Sequence, residues 1–278
     1  MLKIGWFSTA RGQTSRRLLK AAQEAIQTGG LDARIIFVFS NREPGESPET
    51  DRFFEMVRGY GLPLLCLSSG RFRRERGLPP ARAGEPLPPW RLEYDRHVMR
   101  LIEPYGFDLG VLAGYMLIVG HEMCGRYPLL NLHPAPPGGP AGTWQEVIWH
   151  LIATGAERAG AMMHLATPEL DQGPPVTYCT YPIHGPDFDP LWEEVAGQKV
   201  EEIKARQGEE NRLFSQVRRY GVARELPLVV ATLRAFAEGR VRIEGGSVVD
   251  AQGRAISGYD LTAEIDRLAE AALRAEED

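Results

Sequence analysis

The sequence has no long hydrophobic run and few cysteines, and each absence excludes a class of protein. No stretch approaches the roughly 18 consecutive apolar residues of a membrane span, and no charged-then-apolar segment resembles a signal peptide. The three cysteines, Cys66, Cys124 and Cys179, are widely spaced and form no metal-binding motif. We therefore expect a cytoplasmic protein with no membrane partner and no metal ion.

The chain also lacks an excess of positive charge. Its 278 residues carry a formal net charge of −5 at pH 7, which indicates neither a nucleic-acid partner nor a general membrane surface. The length is sufficient to bury a sizeable core, either as one domain with an extension or as two small domains. Small molecules are therefore the partners to consider.

Strands and helices alternate through the first half of the chain. Short apolar runs predict strands at residues 2–7, 35–39, 63–67 and 108–113. Periodic segments predict helices that end near residue 26, at residue 58 and at residue 102. This alternation predicts an α/β fold with a doubly wound, mostly parallel sheet.

Two polar side chains end a further predicted strand, in the Asn-Leu-His-Pro segment at 131–134. Residues two apart on a strand face the same side, so Asn131 and His133 should project together from its carboxyl end, where such sheets bind ligands. Asp171 lies in a Gly/Pro-marked turn after a second apolar stretch at 161–166. An amide, an imidazole and a carboxylate suit acyl transfer, because the amide can stabilise an oxyanion while the others move protons.

Each of these residues, taken singly, also fits a structural role, since an Asp ahead of a glycine commonly makes a turn. To accept and return a proton near neutrality, Asp171 would need a pKa raised by partial burial. His164 lies in the apolar stretch, so we expect a hydrogen-bonded core residue that orients the Asp171 carboxylate.

Together, the 131–134 segment, its Pro/Gly-rich loop and following helix, and the seven-residue offset from His164 to Asp171 resemble the folate-dependent formyltransferase family. The match favours the family's glycinamide ribonucleotide branch. The family's catalytic triad carries over onto Asn131, His133 and Asp171. The family's folate pocket lies after a Leu-Ala-Gly motif, and that place is taken here by Met116, Leu117, Ile118 and Val119. The resemblance thus implies 10-formyltetrahydrofolate as formyl donor and no metal.

A turn at Gly12, Gln13 and Thr14 follows the first predicted strand. Backbone N–H groups at a helix start attract anions, but the turn matches neither a Walker sequence nor Gly-x-Gly-x-x-Gly. A plain N-cap by Thr14 or Ser15 explains the residues equally well. The resemblance implies that the substrate phosphate binds at this turn.

The resemblance implies formyl transfer to a primary amine, with that of glycinamide ribonucleotide in purine biosynthesis favoured. Alternatives are transfer to an amino sugar, hydrolysis of formyltetrahydrofolate, and a non-catalytic folate or nucleotide binder. Hydrolases of this kind usually carry a preceding regulatory domain, and we expect none because the first strand begins at Leu2. We expect a monomer or a homodimer.

The sequence differs from the family in three places where the substrates are expected to bind. Leu117 stands where an Arg is common, and Val222 stands where the glycinamide enzymes have a Glu that holds the amine. Glu225 is nearby but off register, and it is the candidate that remains for binding the acceptor amine. Residues 71–89 form an Arg/Pro-rich insertion that predicts a surface loop or a substrate lid rather than a regular helix.

The C-terminal third predicts helices and one hairpin. Pro227 suits the first position of a helix that stops at Gly239, and Gly245 and Gly246 separate two short strands. A last amphipathic helix covers residues 261–274. We expect a formyltransferase catalytic domain at residues 1–205, with a C-terminal helical and hairpin extension at 206–278 packed on it.

Overall fold

Apolar strands alternate with helices in the computed structural model, which describes residues 1–81 and 85–275. The strands are β1 (Leu2–Ser8), β2 (Ala33–Ser40), β3 (Leu64–Cys66), β4 (Leu109–Leu112), β5 (Leu129–His133), β6 (Arg158–Leu165), β7 (Pro175–Pro182), β8 (Val241–Glu244), β9 (Ser247–Asp250) and β10 (Tyr259–Asp260). The helices are α1 (Gln13–Gln27), α2 (Pro48–Gly59), α3 (Ser69–Glu75), α4 (Pro89–Ile102), α5 (His121–Arg126), α6 (Trp144–Thr154), α7 (Asp189–Val195), α8 (Val200–Gln207), α9 (Arg212–Ala237) and α10 (Thr262–Ala275).

Eight of these strands form one sheet in the order β10-β7-β6-β5-β4-β1-β2-β3. Strands β5, β4, β1, β2 and β3 run parallel to one another. Strand β6 is antiparallel to both of its neighbours, β5 and β7, and β10 is parallel to β7. The predicted α/β fold with a mostly parallel, doubly wound sheet is confirmed. The predicted hairpin is also confirmed, as β8 and β9 pair antiparallel.

Helices cover both faces of the sheet. Trp6 and Phe7 are adjacent in β1, so they face opposite sides and belong to different buried clusters. The Trp6 cluster packs α1, α2 and the second half of α9 on one face, and the Phe7 cluster packs α4 and α5 on the other. A third cluster joins α6 to the first turns of α9 through Trp149 and Phe214. The sheet is therefore buried between two layers of helices.

The predicted start of a helix at Pro227 is wrong. Pro227 lies inside α9, which begins after Asn211, whose side chain accepts a hydrogen bond from the Phe214 N–H at 3.0 Å. An interior proline costs roughly 3 kcal/mol. Burial of residues on both sides of it, among them Leu213 and Leu228, offsets that cost because each buried aliphatic side chain contributes about 1.5–3 kcal/mol.

The expectation of no regular helix in residues 71–89 is wrong for the start of that stretch. Helix α3 runs to Glu75, because the Ser68 side chain accepts from the Arg71 N–H at 3.0 Å and Phe72 is buried against Tyr94. Residues 76–81 and 85–88 are irregular, as expected, and residues 82–84 lie outside the described part. Whether this stretch is a tolerated loop or a lid stays a prediction.

Two further strands, β7 and β10, were not foreseen, because prolines bound β7 and β10 has two residues. Strand β10 comes from the predicted C-terminal extension yet pairs with β7 of the main sheet. The division at residue 205 stays a prediction. Among the described residues, no helix is both long enough and apolar enough to span a membrane.

The start of α6 has the capping box that the Thr143-Trp144-Gln145-Glu146 sequence predicts. The Thr143 hydroxyl accepts from the Glu146 N–H at 3.3 Å, and the Glu146 carboxylate accepts from the Thr143 N–H at 2.7 Å. We expect Thr143→Ala to lower the free energy of unfolding by about 1 kcal/mol in urea denaturation. Thr143→Ser keeps the hydroxyl and should match the wild type to within a few tenths of a kcal/mol. Equal stability of the Ala variant and the wild type would contradict a stabilising cap.

Candidate active site

The carboxyl ends of β1, β4 and β5 meet at one edge of the sheet, since these strands are parallel neighbours. The turn at Gly12 follows β1, the segment 116–119 follows β4, and Asn131 and His133 lie at the end of β5. The sequence-predicted phosphate turn, folate segment and catalytic pair therefore share one edge.

His164 lies beside Asn131 and His133 on the neighbouring antiparallel strand. It is the direct cross-strand partner of Asn131 in the ladder between β5 and β6, so the two side chains lie on the same face. His133 is two residues further along β5 and shares that face. The His133 and His164 rings are edge to face, with centroids 6.2 Å apart.

Asp171 reaches this face through a tight turn after β6. Its φ of 54° is left-handed, a conformation that Asp tolerates better than most residues. The turn requires Gly173, because a Cβ there would lie 1.6 Å from the Leu165 carbonyl oxygen. The glycine therefore lets the loop fold back onto the end of β6 and brings the carboxylate to the histidines.

The four side chains form one buried cluster. Asp171 Oδ2 lies 3.5 Å from His133 Nδ1, and Asp171 Oδ1 lies 3.6 Å from His164 Nε2. The Asn131 amide nitrogen is 3.4 Å from Asp171 Oδ1 and 3.1 Å from His164 Nε2. The His133, His164 and Asp171 side chains are 3%, 3% and 6% exposed, so their mutual interactions are poorly screened by solvent.

Two backbone carbonyl groups show which nitrogen of each histidine ring carries a proton. His133 Nε2 lies 2.8 Å from the Pro140 oxygen, and His164 Nδ1 lies 3.1 Å from the Leu165 oxygen. A carbonyl accepts, so each of these nitrogens must carry a proton. The remaining nitrogen of each ring, His133 Nδ1 and His164 Nε2, faces the Asp171 carboxylate. Asp171 can therefore accept a hydrogen bond from either ring when that nitrogen carries a proton.

The expectation of a raised pKa at Asp171 is wrong. Burial alone would raise the pKa of the carboxyl, but hydrogen bonding and charge from His164 and His133 lower it, as does the Gly142 N–H at 3.1 Å. The combined effect holds the pKa of Asp171 below its usual value. Asp171 is therefore ionised at neutral pH.

The turn at Gly12 leaves a helix start open. Gly12 is the N-cap of α1 with an extended φ of −176°, and no described side chain caps the helix. Thr14 and Ser15 lie inside α1, so neither is the N-cap. A hydrogen bond from α2 stabilises the backbone just before the turn, because the Thr50 hydroxyl donates to the Ala10 carbonyl at 3.1 Å. The first N–H groups of α1 are thus available to an anion.

The segment 116–119 crosses the same edge without regular secondary structure. Met116 is 57% exposed, whereas Val119 is buried. The Met116 N–H donates to the Thr9 hydroxyl at 2.8 Å, which ties the segment to the end of β1. Leu117 and Ile118 are half-buried, and Leu117 packs against the Phe7 cluster. The segment is therefore irregular, with an exposed side chain at Met116, and it lies at the same edge of the sheet as the buried cluster.

Glu225, the candidate for binding the acceptor amine, is already paired with an arginine. Glu225 is buried, and its carboxylate accepts from Arg218 at 2.5 Å, with Arg218 stacked over the Trp144 ring. Its charge is therefore already compensated, and its role in binding an amine stays a prediction. Val222 lines a groove of about 470 Å³ between α1, α9 and α10, together with Arg17 and Leu226.

Several residues at this edge were missed from the sequence. Gly142 donates to Asp171, and Pro140 accepts from His133, so the loop after β5 completes the cluster. Arg91 and Asp95 bind the backbone next to Leu117 from within α4. Their spacing of four on one helix is a signal for an ion pair, but not for what the pair contacts.

Comparison with known proteins identifies sequence relatives. Residues 6–190 match the family model described as formyl transferase. The chain is 29% identical over 248 residues to phosphoribosylglycinamide formyltransferase of Escherichia coli, covering 87% of this chain and 92% of that protein. It is also 27% identical over 150 residues to formyltetrahydrofolate deformylase of Haemophilus influenzae, covering 52% of this chain and 44% of that protein.

Solved structures share the fold. Glycinamide ribonucleotide transformylase 1 from Symbiobacterium toebii has a TM-score of 0.60 at 24% identity, with 90% of this chain and 94% of that chain covered. Phosphoribosylglycinamide formyltransferase from Coxiella burnetii has a TM-score of 0.62 at 21% identity, with 93% and 98% covered. At these identities the likeness is one of fold.

Proposed function

This chain belongs to the formyl transferase family and is an enzyme of that type, and we propose that it transfers the formyl group of 10-formyltetrahydrofolate to the amine of glycinamide ribonucleotide. The observation that carries the proposal is the buried cluster of Asn131, His133 and Asp171 within the family-matched residues. The similarity to the Escherichia coli enzyme, over most of both chains, supports this acceptor.

The cluster has the groups that the reaction requires. When the amine attacks, the formyl carbon becomes tetrahedral and its oxygen gains negative charge, which the Asn131 amide and a protonated His133 would stabilise. The formyl oxygen would take the place of the Pro140 carbonyl at His133 Nε2. The carbon–nitrogen bond to the folate then breaks as the new amide bond forms.

Asp171 would act as a carboxylate throughout. Because its pKa is lowered, it is ionised before the amine arrives and stabilises the positive charge on His133. The amine must lose a proton, and the folate nitrogen must gain one as it leaves. We propose that Asp171 passes this proton on, directly or through a water, without keeping it.

The substrates would bind on either side of the cluster. We propose that Gly12, Gln13 and Thr14 bind the phosphate of the amine substrate, and that Met116, Leu117, Ile118 and Val119 bind the folate. His164 would support the cluster by orienting the Asp171 carboxylate, whose Oδ1 lies 3.6 Å from His164 Nε2. Cytoplasmic location, the absence of a metal requirement and a monomeric or dimeric state stay predictions.

Hydrolysis of the same donor is the second candidate. One observation favours it: Val222 is apolar and Glu225 is already paired with Arg218, so neither of these two residues offers a free carboxylate to an amine. A deformylase is also among the relatives. Water would then take the place of the amine in the attack.

Absorbance-monitored formyl transfer from 10-formyltetrahydrofolate separates these reactions. The purified protein is supplied with glycinamide ribonucleotide, an amino sugar phosphate, or water as the acceptor. We expect glycinamide ribonucleotide to give the highest kcat/KM. Folate release at the same rate without an amine would establish the hydrolase instead, and no reaction with any acceptor would overturn both candidates.

Gly12 offers a test of the phosphate position. No atom lies within 4 Å of a Cβ placed there and the backbone is extended, so a side chain fits without strain. Asp is also a favourable N-cap, so Gly12→Asp should unfold at or above the wild-type temperature. Its negative charge should nevertheless raise the KM for glycinamide ribonucleotide by about 10-fold or more, because it occupies the anion's position.

Gly12→Ala is the matched control and should leave that KM nearly unchanged, because alanine adds bulk without charge. The measurement is steady-state kinetics with the amine varied at a saturating folate concentration. An unchanged KM in Gly12→Asp would mean that the phosphate binds elsewhere.

A further inference from the structure

Side chains bind the backbone in and just after the segment 116–119 at every second residue. The Met116 N–H donates to Thr9, the Ile118 carbonyl accepts from Arg91 Nη2 at 2.8 Å, and the Gly120 N–H donates to Asp95 Oδ2 at 2.7 Å. Three side chains from β1 and α4 therefore bind the backbone at 116, 118 and 120. The segment has a fixed path although it belongs to no helix or strand.

Arg91 and Asp95 are a buried ion pair. They are one turn apart on α4, 1% and 3% exposed, with Arg91 Nη2 3.2 Å from Asp95 Oδ1. Burial raises the pKa of Asp95, while Arg91 and the Gly120 N–H act in the opposite direction. Arg91 Nη1 is buried and has no hydrogen-bond partner among the described residues. Burying such a pair gains little stability relative to apolar side chains, so stability does not explain it.

Helix α4 packs so closely against Gly120 that no side chain fits there. A Cβ at this position would lie 2.5 Å from Leu92 Cδ2 and 2.9 Å from Asp95 Oδ2, so α4 touches the backbone itself. Between Met116 and Ile118, which Thr9 and Arg91 bind, the N–H and C=O of Leu117 have no hydrogen-bond partner among residues 1–81 and 85–275. The pair thus fixes a backbone whose own polar groups are left available.

We infer that Arg91 and Asp95 are positioning residues that set the backbone of the segment 116–119 at the distance and angle that the formyl donor requires. The inference rests on the proposed function, because that segment is the proposed folate site. The two side chains act through the carbonyl of Ile118 and the N–H of Gly120. Neither needs to touch the donor.

Two variants of the full-length protein separate positioning from stability. Asp95→Asn removes the charge but keeps an oxygen that can accept from Gly120. The double variant Arg91→Met/Asp95→Leu replaces the ion pair with apolar side chains of similar size, a change that commonly preserves or raises stability. It also removes both backbone contacts. Glu122→Gln is the control, since it breaks the exposed Arg96 pair between α4 and α5.

The readouts are the calorimetric Kd for 5-formyltetrahydrofolate, used as a stable folate probe, the KM for the amine, and the thermal unfolding temperature. We expect the folate Kd to rise about 10-fold or more in the double variant and less in Asp95→Asn, because a small displacement of binding groups is costly. The amine KM should stay within about 2-fold. Glu122→Gln should match the wild type in all three.

A folded double variant with an unchanged folate Kd would overturn the inference, and so would an equal rise in folate Kd and amine KM. If the double variant does not fold, the folate Kd of Asp95→Asn is compared with its amine KM in the same way, and an unchanged folate Kd would overturn the inference. A wild type that binds the folate but transfers no formyl group would overturn the proposed function alone. A wild type that does not bind the folate would overturn both.

Discussion

Replacing Asp171 with asparagine should lower kcat by roughly 1,000-fold while leaving the Kd of the folate nearly unchanged. Asparagine keeps the size of the side chain and tolerates the left-handed backbone at this position. It cannot carry the negative charge that faces His133, and it cannot pass on a proton. The loss therefore falls on the chemical step. Single-turnover kinetics and folate titration measure the two quantities separately.

Asp32→Asn is the matched control, since that carboxylate is 75% exposed and pairs with the amino terminus. The control should keep full turnover. A folded Asp171→Asn protein with near-normal kcat would make Asp171 a turn residue and remove it from the proposed mechanism.

The lowered pKa of Asp171 also predicts how stability varies with pH. A carboxyl whose pKa is lower in the folded state stabilises the protein fully above its unfolded pKa, and that contribution is lost as pH falls through the folded value. The difference in unfolding free energy between wild type and Asp171→Asn should therefore be constant from about pH 5 to 8 and shrink below pH ~4. Urea denaturation across this range measures it.

Replacing His133 with alanine should lower kcat by about 100-fold or more, the usual cost of losing an acid–base group or an oxyanion donor. The imidazole is buried between the Asp171 carboxylate and the Pro140 carbonyl, so its removal leaves Asp171 Oδ2 without its imidazole partner. Asn131→Ala should have an effect of similar size, because it removes the amide beside Asp171. Steady-state kinetics at saturating substrates measures both.

His150→Ala is the control for histidine loss, since His150 lies on the exposed side of α6. It should retain wild-type turnover. Wild-type turnover in both His133→Ala and Asn131→Ala, with unfolding temperatures near normal, would rule out the roles proposed for the two residues.

The sequence predicts the parallel half of the sheet because β1, β2, β4 and β5 each contain a short apolar run, most of which is buried. The same reasoning places Asn131 and His133 correctly at the end of β5, since side-chain direction along a strand alternates by residue. It also finds the Thr143 capping box, a local pattern of two side chains. These features depend on short-range rules.

Features that depend on tertiary contacts were missed or misjudged. Pro227 marks a helix start locally, but packing on both sides keeps α9 continuous through it. The pKa of Asp171 depends on two histidines and a backbone N–H that are distant in sequence. The contacts that Arg91 and Asp95 make with the segment after β4 likewise follow from how α4 packs, which no local pattern reports.

The turn at Gly12 and the segment 116–119 are supported by different cores. Behind the turn lie Ala10 and Leu18 of the Trp6 cluster, whereas Val119 belongs to the Phe7 cluster across the sheet. Substitutions in separate cores have nearly additive effects when they share no partners. Evolution could therefore have altered the helices around the proposed amine site without refitting those around the proposed folate site. A fold arranged in this way can diversify its acceptors while its one-carbon donor stays the same.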